Sequence, residues 1–128
     1  MSTYDFNDGN GPVAAHKHSN GGGWVADSAT VAYSAYVGPG AMVYGNAKVY
    51  GNARVFGNAK VYGDARVCDN AMVCDYAKVS GNAKVAGNAE VYGNAGVSDG
   101  AKVYGDAWVC GNAVVSGNAV VYEREITK

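Results

Sequence analysis

The chain has no leucine, a single isoleucine at Ile126, and only 2 prolines, 3 cysteines and 2 histidines among 128 residues. Each shortage excludes something. An ordinary interior mixes aliphatic side chains of several sizes to fill irregular space, and this composition cannot supply that mixture. Three cysteines, an odd number without zinc-type spacing, do not make a disulfide framework and read as free thiols in a reducing compartment. No run of about 18 apolar residues is present, which excludes a membrane-spanning helix. Residues 1–11 lack the basic and apolar regions of a signal peptide. A formal net charge of −1 and a pI near 6.0 set up no overall field toward nucleic acid or membrane. The expected setting is the cytoplasm, or a virion assembled there, and the length suits one domain.

What the chain does contain is 19 glycines, 10 tyrosines and a core vocabulary of Val and Ala. Val recurs every sixth residue from Val25 to Val121, and Ala every sixth residue from Ala29 to Ala119, without a miss. Between them lies a Gly/Asp/Asn pair, as in Gly45-Asn46, Gly51-Asn52 and Gly63-Asp64. The unit is Val-x-[Gly/Asp]-[Asn/Asp]-Ala-x, and such a period signals a solenoid. Residues flanking each Val alternate in pleat, so x-Val-x is a short strand with Val inward. Gly and Asn tolerate the left-handed backbone of a sharp corner. Ala fits where the chain turns in and a larger side chain would collide. Strand and corner alternating at this spacing describe a polygonal coil.

The unit, for example Val43-Tyr44-Gly45-Asn46-Ala47, resembles the hexapeptide-repeat family over roughly residues 24–126. The entry through Gly22-Gly23-Trp24-Val25 is similar to that of some bacterial and phage members. The resemblance implies an all-β, single-domain left-handed parallel β-helix with three hexads per coil. It also implies frequent trimerisation. Left-handed winding is the family's exception to the right-handed crossover rule. On that basis residues 25–122 form between five and six coils, residues 1–24 a cap that covers the first coil, and residues 123–128 a charged tail. The charges of Glu123, Arg124 and Glu125 stand where further stacking would begin, a guard against fibre growth.

With residue i above i+18, the outer faces can be laid out. Lys48, Arg66, Lys84 and Lys102 form one vertical column, which is either an anion or partner site or a solvated ladder that discourages edge pairing. Tyr44 stands above Tyr62 on another face. The most apolar face carries Phe56, Cys74, Tyr92 and Cys110, with Arg54, Met72, Glu90 and Trp108 beside them, and reads as an interface. Corner Asn and Asp columns, such as Asn46, Asp64 and Asn82, are expected to form side-chain ladders.

Many hexapeptide-repeat proteins are acyltransferases, and the resemblance implies a His general base and a loop folded over the substrate. This chain has no loop within the repeat, and His16 and His18 precede it. In a strand these two would face the same way, which makes them the remaining candidates for a base or a shared metal. No catalytic residue and no cofactor is otherwise assigned. The expected function is a non-enzymatic structural or protein-interaction module, a homotrimer with a further, unidentified protein partner. Its origin is read as phage or mobile element, as a virion component or an inhibitor of a host protein. The alternative is an acyltransferase-like protein binding acetyl-CoA between subunits.

Overall fold

A computed structural model describes the backbone of residues 2–122 and 125–127, with side chains for all of these except 125 and 127. It is an all-β solenoid of about six turns, with no helix among the described residues. Three parallel walls run along it. The first wall stacks β3 (Trp24–Ala26), β6 (Met42–Val43), β9 (Lys60–Val61), β12 (Lys78–Val79), β15 (Gly96–Val97) and β18 (Val114–Val115). The second stacks β4 (Thr30–Val31), β7 (Lys48–Val49), β10 (Arg66–Val67), β13 (Lys84–Val85), β16 (Lys102–Tyr104) and β19 (Val120–Tyr122). The third stacks β5 (Tyr36–Val37), β8 (Arg54–Val55), β11 (Met72–Val73), β14 (Glu90–Val91), β17 (Trp108–Cys110) and β20 (Glu125–Thr127).

Within each wall the register advances by one coil of three hexads, so Val25 pairs with Val43, Val31 with Val49 and Val37 with Val55. The Val and Ala positions fill a single core, almost all of them fully buried. Each buried Val contributes about 1.5–3 kcal/mol, and each coil stabilises mainly its neighbours. The corners hold because their backbone bonds run from coil to coil. The Lys48 N–H donates to the Ala65 carbonyl at 2.9 Å and the Asn46 N–H to the Gly63 carbonyl at 2.8 Å.

From Gly45 onward the first corner residue takes positive φ, which Gly supplies at φ 67° in Gly45. Three aspartates take the same place: Asp69, Asp75 and Asp99, at φ 57–60°. Each has a compensation, because its carboxylate accepts the N–H of the glycine one coil on, at Gly87, Gly93 and Gly117. The expected ladders of corner amides are less prominent. Among the described residues, Asn88 to Asp106, at 3.4 Å, is the side-chain pair that bridges two coils at a corner. Corner Asn residues serve chiefly as turn formers, and the coil-to-coil bonds fall to the backbone, the aspartates and, in the first coil, the Ser28 and Ser34 hydroxyls, which donate to the Gly45 and Gly51 carbonyls.

Two features lie outside the period. Ahead of the first coil, β1 (Thr3–Asp5) and β2 (Pro12–Lys17) form an antiparallel hairpin, and β2 pairs antiparallel with β3. At the far end Val109 pairs with Ile126, one residue sooner than the period dictates. Position 127 is Thr, so Ile126 takes the inward place and packs on the core. The third wall therefore gains a strand beyond residue 122. The charged guard expected at Glu123, Arg124 and the Glu125 side chain lies outside the described residues.

Candidate functional site

The second wall brings the four predicted cations together. Arg66 pairs in register with Lys48 and with Lys84, and Lys84 with Lys102. Neighbouring cations thus rise about 4.8 Å apart along one line. They line an open groove of about 650 Å³ with the corner residues Asn46, Asp64 and Asn82. Among the described residues, none of the four has a carboxylate within ion-pairing distance; His16 with Asp27 is the ion pair formed there. Like charges stacked in this way repel, so the ladder is mildly unfavourable unless something answers it.

Beside the ladder, two residues further along each strand, runs the column Tyr50, Cys68, Ala86, Tyr104 and Tyr122. Tyr104 and Tyr122 stack, with ring centroids 5.6 Å apart and planes 12° from parallel. The Tyr50 phenol is held above its ordinary range chiefly by a hydrogen bond with the Cys68 thiol, with burial adding to it. Ala86 is the short member of the column. A recess of about 410 Å³ opens there, bordered by Asp69, Lys84, Gly87, Lys102 and Tyr104.

The third wall holds the predicted interface residues in two columns. Arg54, Met72, Glu90 and Trp108 pair in sequence along the wall. Phe56, Cys74, Tyr92 and Cys110 follow them on the outer side of the strands. This second column is largely closed upon itself, with Cys74 and Cys110 buried and Phe56 and Tyr92 half-buried. Burial, reinforced by Asp75 and Glu90, pushes the Cys74 thiol up to about 11, so it is protonated and unreactive at neutral pH. All three cysteines are free. Trp108, 45% exposed, is the large apolar group this wall offers to solvent.

The first wall carries features that the period obscures. Lys60 and Lys78 form a second stacked cation pair. The N-terminal hairpin clips onto this wall through its aromatics. Tyr4 stacks on Trp24 at 4.7 Å, Phe6 on Tyr44 at 4.8 Å, and Tyr44 on Tyr62 at 4.9 Å. The hairpin was legible in principle: Asp8-Gly9 and Asn10-Gly11 between two extended segments are turn signals.

His16 and His18 take different partners. His16 is exposed and its Nδ1–H donates to the Asp27 carboxylate at 2.7 Å. His18 is buried and its Nε2–H donates to the Ala35 carbonyl at 2.8 Å. Strand β2 ends at Lys17, so the alternation expected to align the two rings does not reach His18. Among the described residues no group of three or more His, Cys, Asp or Glu is gathered for a metal ion.

Comparison with known proteins gives one match, to a family described as the YdcK beta solenoid repeat, over residues 47–63 and 107–123. No curated protein matches the chain, and no solved structure does. Each matched segment carries one strand of each wall, in the order second, third, first in residues 47–63 and third, first, second in the other, the strand-and-corner unit itself. By its fold and by this match, the chain is a repeat β-helix protein of the β-solenoid type.

Proposed function

We propose that this chain is a non-enzymatic structural or protein-interaction module, a self-associating β-solenoid. The observation that carries the reading is the uninterrupted wall. From Asp27-Ser28 to Gly117-Asn118 every corner is a two-residue turn, with no projecting loop. Such walls do not converge acids, bases and donors around a reacting atom. They do offer large, rigid, regular surfaces of the kind that partners recognise. The third wall, with Trp108 exposed beside Met72 and Glu90, is the subunit contact in this reading. Trimeric association, left-handed winding and a phage or mobile-element origin, as a virion component or an inhibitor of a host protein, come with it from the family resemblance. Light scattering on the Trp108→Glu protein tests the contact. The expected result is a fall from about three times the 13.1 kDa chain mass to the monomer. An unchanged mass would overturn it. Trp108 is exposed, so the substitution leaves the core intact.

The exposed His16–Asp27 pair favours a second reading, an acyltransferase-like protein binding acetyl-CoA between subunits. A carboxylate on Nδ1–H fixes the ring and leaves Nε2 as the proton acceptor. Under this reading both His16→Ala and Asp27→Asn reduce acyl transfer, and it fails if neither does.

A further inference from the structure

Two outer columns of this solenoid carry rings stacked one coil apart, Tyr44 on Tyr62 and Tyr104 on Tyr122. On the second wall one rung of such a stack is missing. Tyr104 is covered on one side by Tyr122, in near-parallel stacking. The next coil on its other side carries Ala86, whose methyl group leaves the recess of about 410 Å³. Beyond Ala86 stands Cys68, a buried sulfur already engaged with Tyr50. From Cys68 to Tyr104 is two coil steps, about 9.6 Å at the usual strand spacing. Cys68 and Ala86 are buried and the recess is bordered by Tyr104 and not by Cys68, so the face offered to a planar ring is that of Tyr104, a favourable neighbour for it.

The same recess is bordered by Lys84 and Lys102, which also belong to the cation groove. Lys84 lies two residues before Ala86 on the same side of its strand, about 6.6 Å away along the backbone. A ligand that fills the rung with a ring therefore meets paired ammonium groups roughly that far from the ring. Asp69 stands at the opposite border, with one carboxylate oxygen accepting the Gly87 N–H at 3.0 Å. It supplies an acceptor for an amino group on the ring edge.

We infer that the gap at Ala86 is a binding slot for a nucleotide. The base stacks on Tyr104 in the place of the missing side chain, and the phosphate, set off from the base by the sugar, sits between Lys84 and Lys102. Base stacking on an aromatic platform beside a cationic track is a recurrent way of holding such ligands. A recess of this volume is in the range of small-ligand sites. Arg66 and Lys48 continue the cation ladder beyond the slot, so the nucleotide is either free or part of a short single strand. The chain's overall charge of −1 does not oppose this, because the recognition is local to one wall.

The decisive variant is Ala86→Tyr. It fills the slot with the residue that the same column carries at Tyr50, Tyr104 and Tyr122, so the repeat accepts it. Calorimetry at low salt would compare a purine nucleoside 5′-monophosphate, ribose 5-phosphate and inorganic phosphate. The expected result is saturable binding of the nucleotide, at least tenfold weaker binding of the two ring-less anions, and a tenfold or greater loss in Ala86→Tyr. Tyr104→Ser and Lys84→Gln, both at exposed positions, should each weaken the nucleotide by a similar factor. Equal binding of nucleotide and ribose 5-phosphate would overturn the slot, as would wild-type affinity in Ala86→Tyr or no saturable binding at all. A short single-stranded oligonucleotide that competes in wild type but not in Ala86→Tyr identifies a polymer as the source. One that does not compete identifies the free nucleotide.

Discussion

At its N-terminal end the first wall continues from β3 into two antiparallel strands, whereas at the other end its last strand among the described residues is β18, with Val114 67% exposed. The N-terminal cover extends to the third wall as well. The Val37 N–H donates to the Asn20 carbonyl, and the Gly23 N–H to the Val37 carbonyl, so the Gly-rich link lies along the edge of β5. At the other end Val120 and Tyr122 of the second wall are also exposed. The difference teaches how a parallel solenoid is terminated. A strand running the same way always presents an edge like the one before it, and such an edge templates more pairing. An antiparallel strand, fastened by aromatic stacking outside the core, uses that edge without renewing the parallel pattern.

The comparison can be broken most strongly at Phe6, which is 1% exposed and holds the hairpin against Tyr44. Phe6→Ala should cost about 3–5 kcal/mol, concentrated in the cap because coils stabilise mainly their neighbours. Hydrogen exchange should then show lost protection in β1–β3 and little change in β12–β15. Uniform loss along the solenoid would mean that the ends are not independent.

Next in size is the link. A Cβ on Gly21, at φ 117°, would meet the Val37 carbonyl oxygen within van der Waals distance, so Gly21→Ala carries both backbone strain and a clash, about 1–3 kcal/mol. Gly117, near the open end, has φ 65° but nothing within 4 Å of an added Cβ. Gly117→Ala then carries the left-handed backbone cost alone, about 1–2 kcal/mol. Urea denaturation of the pair should rank Gly21→Ala as the more destabilised; the reverse order would deny that the link is packed.

Alkaline pH should act first at the Cys74 thiol, raised from 9.0 to about 11, which loses its contribution above pH 9, and then on the capped end. Burial, then Tyr62, then Asp8 push the Tyr44 phenol from 10.0 up to about 12. The folded state thus keeps a proton that the unfolded state releases above pH 10, so the Tyr44 contribution to stability is complete below pH 10 and falls as pH rises toward 12. Near-ultraviolet circular dichroism of the stacked tyrosines, followed against pH, should show this loss, and Tyr44→Phe should lessen it. The smallest effect on stability is expected from Val114→Lys, within about 0.5 kcal/mol at so exposed a site. It should nevertheless reduce any concentration-dependent growth of mass at the open end, as measured by sedimentation.

The coil was legible because one small space is filled by the same two residues again and again. The period placed Val67 under Val49 and Arg66 under Lys48, and with them the cation ladder of the second wall. Its failures were equally physical. His16 and His18 lie where no period applies, so their directions depended on where β2 ends. The Ile126 strand was missed because the aliphatic residue arrives one place early. The recess at Ala86 escaped notice because a short residue in a variable position is unremarkable until its stacked neighbours are known.

The sequence by itself determined the unit, the buried faces and the vertical columns, because a strict repeat leaves each strand one way to bury its Val. Only the tertiary structure decided how the N-terminal segment docks and which partners its histidines take. Hairpin docking and the His16–Asp27 pair join residues that the repeat does not relate. Their contacts follow from which side chains happen to meet across coils, a relation that spacing alone does not encode.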